Sequence, residues 1–197
     1  MAKILEFFFD YSSAYSYLAS TQVEELVRRA GAELRWRPFL LAAIFKATGN
    51  TPPMANPYKA RYLLKDARDW TRHYHLPDFR LPEGFPSSSL KAARLGLVAE
   101  ELGRLPAYTH ALYRAVFAEG KDPSDAATLS EVLSRLELPA GECLARADSQ
   151  EVKDKLRSNT DEALARGAFG APTFFIGEDL YFGNDRLPFV EAALRRA

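Results

Sequence analysis

Cysteine is almost absent from this chain: Cys143 is the one cysteine in 197 residues. An internal disulfide is excluded, and with it a two-cysteine redox centre and a cysteine-rich zinc site. A net charge is missing too. The 26 Lys and Arg balance the 26 Asp and Glu, so no general field favours nucleic acid or an anionic membrane. No segment approaches the roughly 20 apolar residues that a membrane-spanning helix needs. The opening, Met1-Ala2-Lys3-Ile4-Leu5-Glu6-Phe7-Phe8-Phe9, has too short an apolar run for a signal-peptide core and no small-residue cleavage site behind it. Histidine is scarce as well. His73 and His75 stand near Asp69 and Asp78, short of the three or four converging ligands of a zinc site, so no metal is expected. These absences predict a soluble, cytoplasmic protein in a reducing compartment, with neither nucleic acid nor membrane as partner.

What is present suits a globular core. The chain is 47% apolar and 26% charged, and its length fits one domain or one domain carrying an insertion. Ile4 to Phe9 is a run of large β-favouring residues, the pattern of a buried strand. Asp10, Ser12 and Ser13 then signal a helix start. Tyr17, Leu18, Val23, Leu26 and Val27 keep helical spacing up to Gly31, a C-terminal stop. Glu33 to Phe39 alternates as a second strand, so the opening reads β-α-β with a parallel pair.

From about 42 to 166 the pattern is mostly helical. The segments are Tyr58 to Tyr74, Ser89 to Leu102, Ala107 to Phe117, Ala126 to Leu136 and Ser149 to Arg166. Joints bearing Pro and Gly separate them, among them Leu138-Pro139-Ala140-Gly141. Thr173 to Ile176 and Leu180 to Phe182 then read as a hairpin across Gly177-Glu178-Asp179. Gly183-Asn184-Asp185 opens a last amphipathic helix. The predicted class is α/β: a thioredoxin-like fold with an inserted all-helical domain. Residues 1–40 and 168–197 form the thioredoxin-like part, and 41–167 the insertion.

Three segments carry a family resemblance. The first is Phe9-Asp10-Tyr11-Ser12-Ser13-Ala14-Tyr15-Ser16-Tyr17-Leu18-Ala19. The second is Gly49-Asn50-Thr51-Pro52-Pro53 with Pro57-Tyr58-Lys59. The third is Gly170-Ala171-Pro172-Thr173-Phe174-Phe175 with Phe182-Gly183-Asn184-Asp185-Arg186-Leu187. In this order they resemble the 2-hydroxychromene-2-carboxylate isomerases and kappa-class glutathione transferases, relatives of the DsbA-type oxidoreductases. The family usually has proline after the key serine, where this chain has Ala14.

Ser13 stands where strand gives way to helix. A helix N-terminus offers unpaired N–H groups and partial positive charge, which stabilise a thiolate. Oxidoreductases that the chain resembles have Cys-x-x-Cys there; this chain has Ser13-Ala14-Tyr15-Ser16, so disulfide exchange is impossible at that place. The resemblance makes Ser13 the catalytic residue and glutathione the cofactor. It implies a cis bond before Pro172, close to Ser13, with the Ala171 backbone free to pair with the cysteinyl part. It puts Asn184 and Asp185 on the γ-glutamyl end, Asp185 meeting the ammonium, and Asn50 and Lys59 near the glycyl end or the substrate. It also implies a homodimer and a small aromatic substrate. The competing expectations are a kappa-like transferase and a non-catalytic thioredoxin-fold binding protein. Read from the residues alone, Ser13, Asn184 and Asp185 are also ordinary helix caps.

Overall fold

The apolar run that opens the chain forms strand β1 (Ile4–Phe9) at the centre of a four-stranded sheet. The computed structural model describes residues 3–196, so Met1, Ala2 and Ala197, included in the expected thioredoxin-like part, lie outside the described residues. The chain continues through α1 (Ala14–Ala30), β2 (Glu33–Pro38) and α2 (Leu41–Thr48). Then follow α3 (Pro57–His73), α4 (Leu90–Glu101), α5 (Leu105–Phe117), α6 (Ala126–Arg135), α7 (Ala140–Arg146) and α8 (Gln150–Ala165). The hairpin β3 (Thr173–Ile176) and β4 (Asp179–Phe182) and helix α9 (Leu187–Arg195) complete it. The strand order is β2-β1-β3-β4, with β1 parallel to β2 and antiparallel to β3. The hairpin turns on Gly177 at φ 59°, a left-handed position that glycine takes at no steric cost.

β1 is apolar on both faces because both are covered. Leu5, Phe7 and Phe9 join the larger core with α1 and α5, whereas Phe8 packs with Phe39, Ile44 and Phe175 toward α2 and α8. Phe7, Phe8 and Phe9 are fully buried, and each such side chain contributes about 1.5–3 kcal/mol. Glu6, the polar exception, joins an ion network with Arg37, Arg166 and Glu162. The aromatic core crosses from the sheet into the helices: Tyr11 meets Tyr108 edge to face and Tyr113 at a tilt, and Tyr17 stacks on Phe117.

Two helices lie where no separate helix was expected. α2 follows the second strand directly, and α7 occupies the segment after Pro139 that reads as a joint. No helix among the described residues is long and apolar enough to cross a membrane.

Candidate active site

Asp10 sets the loop that presents Ser13. Its buried carboxylate accepts the Ser12 N–H at 2.7 Å and the Ser12 hydroxyl at 2.6 Å through one oxygen. The other oxygen accepts the Leu41 N–H at 2.7 Å. α2 has no side-chain cap of its own, so Asp10 closes that helix start from 31 residues away. Asp10 therefore serves the loop before α1, as the sequence suggests, and the start of α2 as well.

Ser13 is the cap of α1. Its backbone is extended, at φ −100° and ψ 110°, the usual cap conformation. Its Oγ accepts the Ser16 N–H at 3.1 Å and donates to the Ala171 carbonyl at 3.1 Å. The Ala171–Pro172 bond is cis and lies beside Ser13, as expected. The Ala171 backbone is only half free, however. Its carbonyl is taken by Ser13, while its N–H has no partner among the described residues. Ser16, at the second redox position, is fully buried with its hydroxyl unpartnered.

In front of Ser13 opens a cleft of about 560 Å³. Its apolar walls include Phe45, Met54, Leu63, Phe85 and Phe182. Gly170 lets the wall close: a Cβ there would stand 2.5 Å from the Phe182 ring. Four expected site residues, Ser13, Asn50, Lys59 and Ala171, line this one cleft. Asn50 is held by its Nδ2 donating to the Phe169 carbonyl at 3.3 Å and its Oδ1 accepting the Thr51 N–H at 2.9 Å.

Lys59 is the cleft's lysine, and no Asp or Glu is among the residues lining it. It sits in the first turn of α3, whose cap, Asn56, accepts its N–H at 3.2 Å. A cation is disfavoured at a helix N-terminus. The helix's ion pairs use Lys65 and Arg72 with Asp69, and Lys59 makes none among the described residues.

Pro172, Asn184 and Asp185 do not line the cleft. Asn184 is 2% exposed, faces Tyr74, and leaves its side-chain N–H group without a partner. Asp185 is half exposed, 3.1 Å from Arg186. Tyr15 lines the cleft and feels the charge of Asp185; the sequence did not single it out although it is two residues past Ser13. Burial, followed by the neighbouring Asp66 and the charge of Asp185, holds the Tyr15 phenol well above its ordinary pKa, so it stays a proton donor at neutral pH. Phe45 and Phe85 of the cleft wall were also missed as site residues, and Ser89, which reads as a cap in the sequence, lines the cleft and makes no side-chain cap bond to α4. Phe182 was visible in the third segment but not assigned a role.

Comparison with known proteins agrees with the fold. The family model of the DSBA-like thioredoxin domain matches residues 4–195. A 2-hydroxychromene-2-carboxylate isomerase of Sphingobium xenophagum is 30% identical over 196 residues, covering 98% of this chain and 99% of that protein. Glutathione S-transferase kappa 2 of Caenorhabditis elegans is 32% identical over 203 residues, covering 95% and 90%. The solved structure of a 2-hydroxychromene-2-carboxylate isomerase superposes with a TM-score of 0.88 at 27% identity, over 97% of this chain and 94% of that one. With the sheet order, the capped serine and the cleft all in place, the chain belongs to the DSBA-like thioredoxin domain family, in its isomerase and kappa-transferase branch.

Proposed function

We propose that this protein is a glutathione-dependent isomerase that interconverts 2-hydroxychromene-2-carboxylate and trans-o-hydroxybenzylidenepyruvate, or a similar intermediate of aromatic degradation. The observation that carries the reading is Ser13: a buried cap hydroxyl at the head of α1, facing an apolar cleft, with no cysteine beside it. The unpaired Ala171 N–H, the unpaired Lys59 and the serine hydroxyl match the needs of a thiol peptide with a free carboxylate.

Bound glutathione would supply a thiolate that adds to the conjugated double bond and is expelled once that bond has turned. The chain's own work is electrostatic and positional. The α1 N-terminus and the Ser13 hydroxyl favour the charged sulfur. To donate to it, Ser13 Oγ–H turns away from the Ala171 carbonyl and keeps the Ser16 N–H as its own donor. Ala171 N–H holds the cysteinyl backbone. Lys59 and Asn50 hold the glycyl end, and Asp185 the ammonium. The apolar walls exclude water from the aromatic substrate. Asn184 acts from behind, since its side chain is buried.

A kappa-like transferase is the second reading, favoured by the match to the nematode transferase. Incubation with glutathione and 2-hydroxychromene-2-carboxylate decides. Glutathione-dependent isomer formation with the thiol conserved supports the first reading. A stable thioether product selects the second, and no glutathione requirement sinks both. The proposal includes a cytoplasmic location, supported by a lone, buried Cys143. It also includes a homodimer, supported by the exposed Tyr58 and Tyr62 on one face of α3; sedimentation would test that.

A further inference from the structure

The apolar walls of the cleft are not anchored alike. Phe85 meets the core ring of Phe117 edge on, and Leu63 is buried in that same core. Phe45 packs on the second core around Phe8. Phe182 belongs to neither core. It ends the edge strand β4 and is 40% exposed. Its ring rests on Phe169, whose centroid is 4.6 Å away at an interplanar angle of 50°. Phe169 is itself 42% exposed. Two partly exposed phenylalanines therefore pack together at the rim of the cleft, outside the cores. Exposed aromatic surface beside an apolar cleft suits a ligand that covers it.

The Phe182 ring has a seat as well as a backing. A Cβ on Gly170 would stand 2.5 Å from its Cε2 and 3.0 Å from its Cζ, so the far edge of the ring lies against bare backbone. Across the hairpin Phe182 pairs with Thr173. That places it at the end of the sheet where Ser13 Oγ meets the Ala171 carbonyl. The backing is tied down in turn, because Asn50 Nδ2 donates to the Phe169 carbonyl at 3.3 Å. A wall ring with nothing behind it would swing aside for a larger ligand. This one has Phe169 and Gly170 behind it and lines the cleft with its remaining surface.

We infer that Phe182, seated on Gly170 and backed by Phe169, sets the size limit of the acceptor. The ring closes the site behind a single benzene ring and shuts out an acceptor that carries a second fused ring. This rests on the isomerase reading and adds to it the residue that chooses among acceptors. The acceptor carbon that takes the sulfur must come up to Ser13, and Phe182 stands at that end of the cleft. Even one methylene too few or too many in an apolar pocket changes selection about 10- to 200-fold; a fused ring pressed against a ring that cannot retreat is a larger misfit. Because Phe182 lies outside both cores, shortening it enlarges the cleft instead of leaving a hole in the interior.

The test compares two acceptors at saturating glutathione: trans-o-hydroxybenzylidenepyruvate and its analogue with a second benzene ring fused to the phenol. The readout is the ratio of their kcat/KM values. Calorimetry with trans-2-hydroxycinnamate and its hydroxynaphthyl counterpart gives the same ratio for binding, without turnover. The proteins are wild type, Phe182→Leu, Phe182→Ala, Gly170→Ala and the double variant, each checked for an unchanged circular dichroism spectrum. Wild type should prefer the one-ring acceptor. Phe182→Ala should move the ratio toward the two-ring acceptor by about tenfold or more, with Phe182→Leu between. Gly170→Ala, which displaces the ring, should alter the ratio in the parent and leave it unaltered in Phe182→Ala. The inference is overturned if wild type takes both acceptors equally well or binds neither cinnamate, or if Phe182→Ala keeps the wild-type ratio. It is also overturned if Gly170→Ala shifts the ratio equally with and without the Phe182 ring. Binding ratios that move as expected in a protein that turns over neither acceptor would support the size limit and sink the isomerase reading.

Discussion

The Ser13 hydroxyl has one proton, and in the structure it is given to the Ala171 carbonyl, 158 residues away in sequence. Ser13→Ala should cost about 1 kcal/mol through the lost cap on Ser16, measurable in a urea melt. If Ser13 also holds the sulfur, the bound thiol's pKa rises, activity near neutral pH falls far more than that, and the pH–rate profile moves upward by the same amount. Thiolate absorbance of the glutathione complex against pH measures it; identical titrations would leave Ser13 as a cap alone. Asp185 is a second residue-scale case. Its charge already faces Arg186, so Asp185→Asn should weaken glutathione about tenfold, the low end for a charge-assisted contact. Unchanged affinity by calorimetry would count against the ammonium role. Ser13, Asn50, Lys59 and Ala171 were legible because three motif segments name them, not because any local spacing does. Asn184 shows the limit. Its residue type suggests a cap, but Asn184 lies within a 3-10 turn ahead of α9, whose cap position is Arg186, and its side chain faces Tyr74 in the interior.

At the level of elements, what was hard to read has a non-local cause. β1, α1 and the hairpin announce themselves through apolar runs, a cap and turn residues within the segment. α2 does not, because Leu40 cannot cap it and Asp10 does so from the preceding loop. α7 begins after Pro139 with Ala140-Gly141, which reads as a turn until the burial of Cys143 is known. Asp10→Ala should therefore cost stability through both the loop and α2, about 1.5–3 kcal/mol for a lost charge-assisted bond. It should also loosen the Phe45 wall. Denaturation and ligand titration of the same variant check the pair; a variant as stable as wild type would contradict the cap. α4 offers a sharper trial. A Cβ on Gly96 would stand 2.6 Å from the Tyr11 hydroxyl, which bonds Thr109 at 2.9 Å. Gly96→Ala gains about 1 kcal/mol of helix propensity but overpacks the core, a cost of about 1–3 kcal/mol. In a Tyr11→Phe background the hydroxyl is gone and the nearest ring atoms are 3.3 and 3.4 Å away. Gly96→Ala should destabilise the parent and be neutral or stabilising in that background, as a double-mutant cycle would show.

For the whole molecule, two sets of titrating groups bound the pH range of stability from opposite sides. On the acid side, Arg146 lowers Glu101, Arg29 lowers Glu191, and Lys91 lowers Asp148 from their ordinary values near 4.5 and 3.8. These pairs tie α4 to α7, α1 to α9, and α4 to the start of α8. A carboxylate depressed in the folded state contributes fully above its unfolded pKa and loses that contribution as pH falls through its folded one. The melting temperature should therefore drop below about pH 4, modestly, because the pairs are solvent-exposed and salt screens them. On the alkaline side stand Tyr11, Tyr108 and Tyr113 at the heart of the core. Burial raises all three phenols well above 10.0. An unfolded chain ionises them near pH 10 while the folded one keeps them neutral, so their contribution is whole below that pH and is lost as pH rises past it. Melts by circular dichroism across pH 3 to 11 should show a plateau between those edges. Tyrosinate absorbance supplies the decisive reading. Ionisation of these three phenols should coincide with the loss of helical signal. Their titration near pH 10 in a chain that still shows native helical signal would mean that the aromatic core joining the sheet to α5 is not closed to water.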